Sequence, residues 1–312
     1  MKRFEITISK SLSRKRLDLA LVAADTGLSR RRIRLAIDAG GVYLNRKRVK
    51  IASREVRLGD EVVLEYDPGL KKDLEASFAL NAKDFIHIGP DFVVLNKPAG
   101  LASQATRTQS KVHVEMQVAK YLVENGENRK PVLVHRLDKD TSGVMILALS
   151  AKKALFLSQQ FADRVAEKKY HAICIGKPAK GEFSVADRLS RPNKNGFVSV
   201  LAHGGRTAQT SFKMLEPLLG GKGSLMECAP KTGRTHQLRV HLLHKGLPIV
   251  GDKRYGGGHH LSVGKLCPKL STPHHMLHAY ELKIVTDKDR PARAFQAPYP
   301  ASFAKALEDC RF

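Results

Sequence analysis

At 312 residues with 42% hydrophobic content, the chain is long enough to bury a sizeable core, and its length suggests about two domains. Its 54 Lys plus Arg against 30 Asp plus Glu leave a formal net charge of +24, which draws it to polyanions, nucleic acid first, through phosphate neutralisation and counterion release. No apolar run approaches the roughly 20 residues of a membrane span, and neither a secretory leader nor a lipidation signal is present, so a cytoplasmic protein that binds no membrane is expected. Cys174, Cys228, Cys267 and Cys310 stand too far apart for a zinc knuckle or a redox pair and read as buried free thiols.

From Ser13 to Ala24, Leu17, Ala20, Leu21 and Ala24 fall at helical spacing, with Gly27 as the stop. A second helix is expected from the N-cap Ser29, with Ile33, Ala36 and Ile37 on its apolar stripe, Gly40-Gly41 at its end, and Arg30, Arg31, Arg32 and Arg34 on its other face. Val42-Tyr43-Leu44 reads as a strand, Asn45-Arg46-Lys47 as a turn, and Val56 to Leu64 as further strand broken at Gly59-Asp60. Through Tyr66 this module holds sixteen Lys plus Arg against eight Asp plus Glu. The arginines of the second helix and the run Arg46, Lys47, Arg48 and Lys50 form two basic clusters suited to phosphate. The run RLDLALVAADTGLSRRRIRLAIDAGGVYLNRKRV at Arg16 to Val49 resembles the S-four-type RNA-binding domain, which implies docking on structured RNA without chemistry. Residues 1–66 are assigned to this domain, 67–84 to a linker and 85–312 to a second domain.

That second domain opens with strands at Ile86-His87-Ile88 and Phe92 to Leu95, closed by the Asn96-Lys97-Pro98-Ala99-Gly100 loop, and a helix is expected over Val112 to Val123. HRLDKDTSG, His135 to Gly143, then sets one acid, Asp138, beside one arginine, Arg136, between the apolar runs Val132–Val134 and Val144–Leu149. A polar loop pinned between buried strands is where catalytic groups concentrate, and Asp138 is the residue expected to carry the chemistry. Tyr170 enters the strand Lys168–Ile175 from a basic edge, and Arg188 to Gly205 reads as surface hairpins within reach of RNA. After the strand Leu225–Ala229, the latter part of KTGRTHQLRVHL is helical, and Arg234, His236 and Arg239 gather at its N-terminal end, where an anion is favoured. His259, His260, Cys267, His274 and His275 invite a metal, but none shows paired ligand spacing, and the segment reads as a mobile basic loop.

HRLDKDTSGVMILAL, EKKYHAICIG, KTGRTHQLRVHL and LHAYELKI, with NKPAGLAS before them, stand in an order similar to the RluA family of pseudouridine synthases, from about Phe85 to Phe295. The resemblance implies an α+β chain: a small α/β RNA-binding module followed by a catalytic domain with a largely antiparallel mixed sheet and a central cleft. It implies isomerisation of chosen uridines to pseudouridine without metal or nucleotide cofactor, with Asp138 as catalytic carboxylate, Tyr170 as active-site tyrosine and Arg239 as the arginine paired with the aspartate. Arg136 corresponds to the residue that replaces the flipped base in the RNA stack, and Arg234 joins the RNA contacts. The expected partner is large-subunit ribosomal RNA or a pre-ribosomal particle, met by a monomer. Transfer RNA and a non-catalytic ribosome-assembly role are the alternatives, and a metal-dependent nuclease is disfavoured because Asp138 and Asp140 are too sparse a carboxylate set.

Overall fold

Glu61–Tyr66 alternates outward and inward residues, with Val62, Leu64 and Tyr66 buried, and the first unit of the chain is built on it. The computed structural model describes residues 2–49, 51–67, 78–105, 112–256 and 272–311. In this unit β1 (Lys2–Thr7) leads to the helices α1 (Leu17–Ala23) and α2 (Arg30–Ala39) and then to β2 (Val42–Leu44), β3 (Lys47–Arg48) and β4 (Glu61–Tyr66). The strands order as β1-β4-β2-β3, all antiparallel, and Leu17, Leu21, Ile33 and Ile37 pack with Val62 and Leu64 in one core. Helix α1 starts at Leu17 rather than near Ser13, because Arg14 takes a left-handed φ of 62° and the Leu17 amide is drawn to the Arg54 carbonyl. Helix α2 follows its caps: the Ser29 hydroxyl accepts from the Arg32 amide, and Gly40 closes the helix at φ 81°. Strand β1 carries no clear signal in the sequence and owes its place to β4.

The second unit begins at Phe78, inside the segment expected to be linker, since Phe78 and Leu80 pack into its core. Its strands are β5 (Phe85–Ile88), β6 (Phe92–Lys97), β7 (Val132–Leu133), β8 (Ser142–Ala148), β9 (Glu167–Ile175), β10 (Glu182–Leu189), β11 (Val200–Leu201), β12 (Arg206–Leu218), β13 (Gly223–Pro230), β14 (Leu277–Ile284) and β15 (Arg293–Gln296). The helices α3 (Val114–Glu124), α4 (Ala151–Ala162), α5 (Gln237–His244) and α6 (Ala301–Cys310) pack around them. The sheet runs β11-β10-β12-β13-β9-β14-β8-β6-β5, with β15 on β14 and β7 on β8. Every pairing among the described strands of this sheet is antiparallel except β8 with β14, where Ser142 faces His278 and Gly143 faces Ala279.

That seam dictates a glycine. A Cβ on Gly143 would lie 2.2 Å from the Ala279 carbonyl oxygen, and its φ of 112° is a conformation L side chains rarely adopt. Strand β8 is buried throughout, and Leu95 and Met145, both at 0% exposure, contribute about 1.5–3 kcal/mol each through removal from water. The short strand before the Asp138 loop is less buried than its β-branched residues suggest: Val132 is 37% exposed, because β7 pairs only at the end of β8. Cys174 and Cys228 are buried free thiols as expected, and Cys310 is buried as well. Lys50, His259, His260 and Cys267 lie outside the described residues.

Candidate active site

Asp138 sits in the loop between β7 and β8, and the loop is tied from both sides. The Ser103 hydroxyl donates to the Leu137 carbonyl at 2.7 Å and accepts from the Leu137 amide at 3.1 Å, which fixes both backbone groups of the residue before the acid. On the following residue, the Lys139 carbonyl accepts from the Gly100 amide and from Nζ of Lys97, both at 2.9 Å. Lys97 is wholly buried, its ammonium also held by the Pro98 and Leu101 carbonyls, and burial lowers its pKa to about 7.

The far side of the loop meets β14 and the residues before it. Oγ1 of Thr141 and Nε2 of His275 share a hydrogen bond at 2.8 Å, Ser142 and His278 another at 2.8 Å, and His274 pairs with Asp140 at 3.2 Å. His274 and His275 are therefore parts of the loop's support rather than of a mobile basic segment. Burial brings His275 down to about 4, keeping it neutral, whereas the hydrogen bond from His274 brings Asp140 down to about 2. His135 likewise serves structure: its Nε2 accepts from the Ile146 amide at 3.1 Å while the ring stacks on Phe161.

Helix α5 brings the second functional group. Arg239 donates from Nη1 to Asp138 at 3.2 Å, but its shorter bonds go to Asp252, from Nε at 2.6 Å and Nη2 at 2.7 Å. Asp252 is 1% exposed and also accepts from the amides of Arg254 and Tyr255 at 3.0 Å, and the Arg239 guanidinium lies 4.9 Å from the Tyr255 ring centre. Burial opposes both charges, yet their mutual hydrogen bonds prevail: Asp252 is held below the usual carboxylate range and Arg239 above the usual guanidinium range. Asp252 thus orients Arg239, and Arg239 aims at Asp138.

His236 also reaches this cluster, its Nε2 at 3.9 Å from Asp138 and its Nδ1 at 2.9 Å from the Tyr255 hydroxyl. Burial lowers its pKa despite the Asp138 charge. The anion expected at the start of this helix is, in the chain itself, the Asp138 carboxylate. Arg234 takes no part in that pairing; it donates from Nε to the Thr207 carbonyl and lines the cleft.

The cleft around Asp138 measures about 550 Å³ and is lined by Arg136, Lys168, Tyr170, Lys231, Arg234 and Leu277 among others, with Asp138 its one acid among the described residues. Tyr170 faces it from β9, and burial first, then the Asp138 charge, pushes the phenol pKa up, so the hydroxyl keeps its proton at neutral pH. Arg136 is exposed at the cleft wall and has no hydrogen bond or ion pair among the described residues.

In the first unit the predicted basic set divides. Asp18, fully buried, receives Arg16 and Arg30 at 3.0 Å and Arg34 at 3.9 Å. Arg48 donates to the Tyr43 hydroxyl at 2.8 Å, whereas the side chains of Arg31, Arg32, Arg46 and Lys47 are exposed with no partner among the described residues.

A family model for the S4 domain matches residues 15–62, and one for RNA pseudouridylate synthase matches residues 91–244. An RNA-binding module followed by a cleft-bearing α+β unit makes this chain an RNA-modifying enzyme. The ribosomal large subunit pseudouridine synthase D of Borreliella burgdorferi is 34% identical over 82% of this chain and 77% of its own length. An uncharacterized RNA pseudouridine synthase of Zymomonas mobilis is 37% identical over 71% of this chain and 96% of its own. Among solved structures, human RNA pseudouridylate synthase domain containing 4 aligns with a TM-score of 0.61 at 25% identity, covering 77% of this chain and 97% of that one. The chain belongs to the RNA pseudouridylate synthase family.

Proposed function

We propose that this enzyme isomerises specific uridines of large-subunit ribosomal RNA, with Asp138 as its catalytic carboxylate. The observation that carries the assignment is that Asp138 is the one acid of a cationic cleft among the described residues and is aimed by an arginine fixed on Asp252. Relatives named as large-subunit synthases support the ribosomal substrate.

The bond from ribose to the uracil nitrogen breaks, the base turns, and a bond forms to carbon five, whose hydrogen leaves as a proton while the nitrogen gains one. Asp138 opens the sequence, either by attack on the sugar or as the base for elimination of uracil. Tyr170 stacks on the detached base and offers its retained hydroxyl proton as a hydrogen-bond donor, and apolar neighbours such as Leu277 keep water from the base. Extruding the uridine costs a few kcal/mol in lost stacking, and the guanidinium of Arg136, without a partner among the described residues, fills the vacated position.

In the first unit, residues 1–66 as a domain, Arg31, Arg32, Arg46 and Lys47 grip phosphate, with Arg48 beside them, while Arg30 and Arg34 hold Asp18. No helix among the described residues is long and apolar enough to cross a membrane. Chemical mapping of pseudouridine in RNA from cells with and without the protein is the test. Loss of a large-subunit site, restored by the wild-type chain and not by Asp138→Asn, is expected. Loss confined to transfer RNA would overturn the ribosomal assignment, and activity of Asp138→Asn would overturn the role of the aspartate.

A further inference from the structure

The cleft extends beyond the surroundings of Asp138. Strand β9 places Lys168 and Tyr170 two residues apart, on the same face of the sheet, and both line the cleft. The two differ in electrostatic surroundings. The Asp138 charge bears on Tyr170, His236 and Arg239, whereas Lys168 is affected by burial alone and acts in turn on His135. Lys168 and His135 line the same cleft as the Asp138 carboxylate.

This part of the lining is built on fixed side chains. His135 is fixed by the Ile146 amide and stacks on Phe161 with ring centres 4.5 Å apart and planes 18° from parallel. Phe161 belongs to the last turn of α4, and just past that helix Arg164 lines the same cleft with a left-handed φ of 62°, where glycine is usual. Among the described residues neither the Lys168 nor the Arg164 side chain has a hydrogen bond or an ion pair. A partly buried ammonium with no anion is costly in the free protein, and the cost is offset when an anion arrives.

We propose that Lys168 and Arg164 form a subsite for the backbone phosphate adjoining the target uridine, fixing the register of the strand while Asp138 and Tyr170 act on the neighbouring nucleotide. The inference rests on the chain acting on RNA. The ligand is a phosphodiester: two cations of different geometry, in a cleft whose one lining acid among the described residues is Asp138, match the one charge each nucleotide of the strand carries.

The test uses the full chain, Lys168→Met and the exposed Arg164→Ala as a variant that leaves the core intact, with an unmodified large-subunit RNA transcript and a short RNA carrying the mapped uridine. Each variant is expected to raise the Kd for RNA about fivefold to tenfold and to flatten the salt dependence by about 0.7 in log–log slope. The loss in turnover is expected to fall on KM, and Lys168→Arg is expected to restore it. A neutral methylphosphonate at the flanking linkage is expected to weaken the wild type by the same factor and to leave Lys168→Met no weaker. A fall in kcat with Kd and salt slope intact would overturn the subsite and assign the lysine to the base itself, and additive effects of methylphosphonate and Lys168→Met would overturn it too. Failure of the wild type to modify any RNA while binding it in this pattern would instead count against the proposed function.

Discussion

Replacing Asp252 with asparagine keeps the side-chain shape, removes the charge, and turns one of the two acceptors facing Arg239 into a donor. Both partners are withdrawn from water, at 1% and 9% exposure, and the bonds are 2.6 and 2.7 Å long. Breaking a buried pair costs about 3–5 kcal/mol because the remaining charge is uncompensated. Here Asp138 lies 3.2 Å from the same guanidinium, so the charge keeps one partner and the lower end, about 3 kcal/mol, is expected. The guanidinium then tips towards Asp138, and a displacement of about 1 Å at the reacting group lowers the rate about 100-fold. Urea unfolding would read the first effect, and single-turnover pseudouridine formation with saturating enzyme, at a temperature where the variant is folded, would read the second. Reduced stability with wild-type turnover would reduce Asp252 to scaffold, and no change in either would refute the reasoning.

Other outcomes follow from the same geometry. Burial holds His171, His241, His275 and His278 at about 4 and His135 at about 3, against 6.5 for an ordinary histidine. The unfolded chain binds protons that the folded chain refuses, so stability falls as pH drops from about 6.5 towards about 4, by as much as about 1.4 kcal/mol per pH unit for each histidine. Constant stability across that window in denaturant titrations would contradict these assignments. Gly143→Ala forces a Cβ against the Ala279 carbonyl at a disallowed φ and is expected to cost about 3 kcal/mol or more, read as lost soluble yield or a lowered melting temperature. Joint substitution of Arg31 and Arg32 by alanine is expected to weaken RNA binding and flatten its salt dependence with stability unchanged, whereas Arg30→Ala lowers stability by loosening Asp18. The reverse pattern would reassign the two groups.

The Asp138 loop is legible in the sequence because a short polar run between two apolar ones leaves few places for the chain to go, and caps such as Ser29 and Gly40 act locally. Asp252 is not legible: Gly251-Asp252-Lys253 reads as any charged turn, and only packing against α5 brings its carboxylate to Arg239. Ser103 and His275 escape for the same reason, since their partners, Leu137 and Thr141, are distant in sequence. The arginines of α2 look equivalent by spacing, and what separates Arg30 and Arg34 from Arg31 and Arg32 is one buried aspartate on the preceding helix.

The position of β14 has a consequence for how the enzyme is made. Remove that strand and the large sheet is two unconnected pieces, β5-β6-β8 with β7 on one side and β9-β13-β12-β10-β11 on the other. Asp138 hangs from the first piece and Tyr170 from the second. The two halves of the proposed reaction centre therefore stand on separate sets of strands that residues 277–284 join by pairing with both edges. Pairings that span so much sequence form slowly, so this seam is expected to limit the rate at which the sheet is completed.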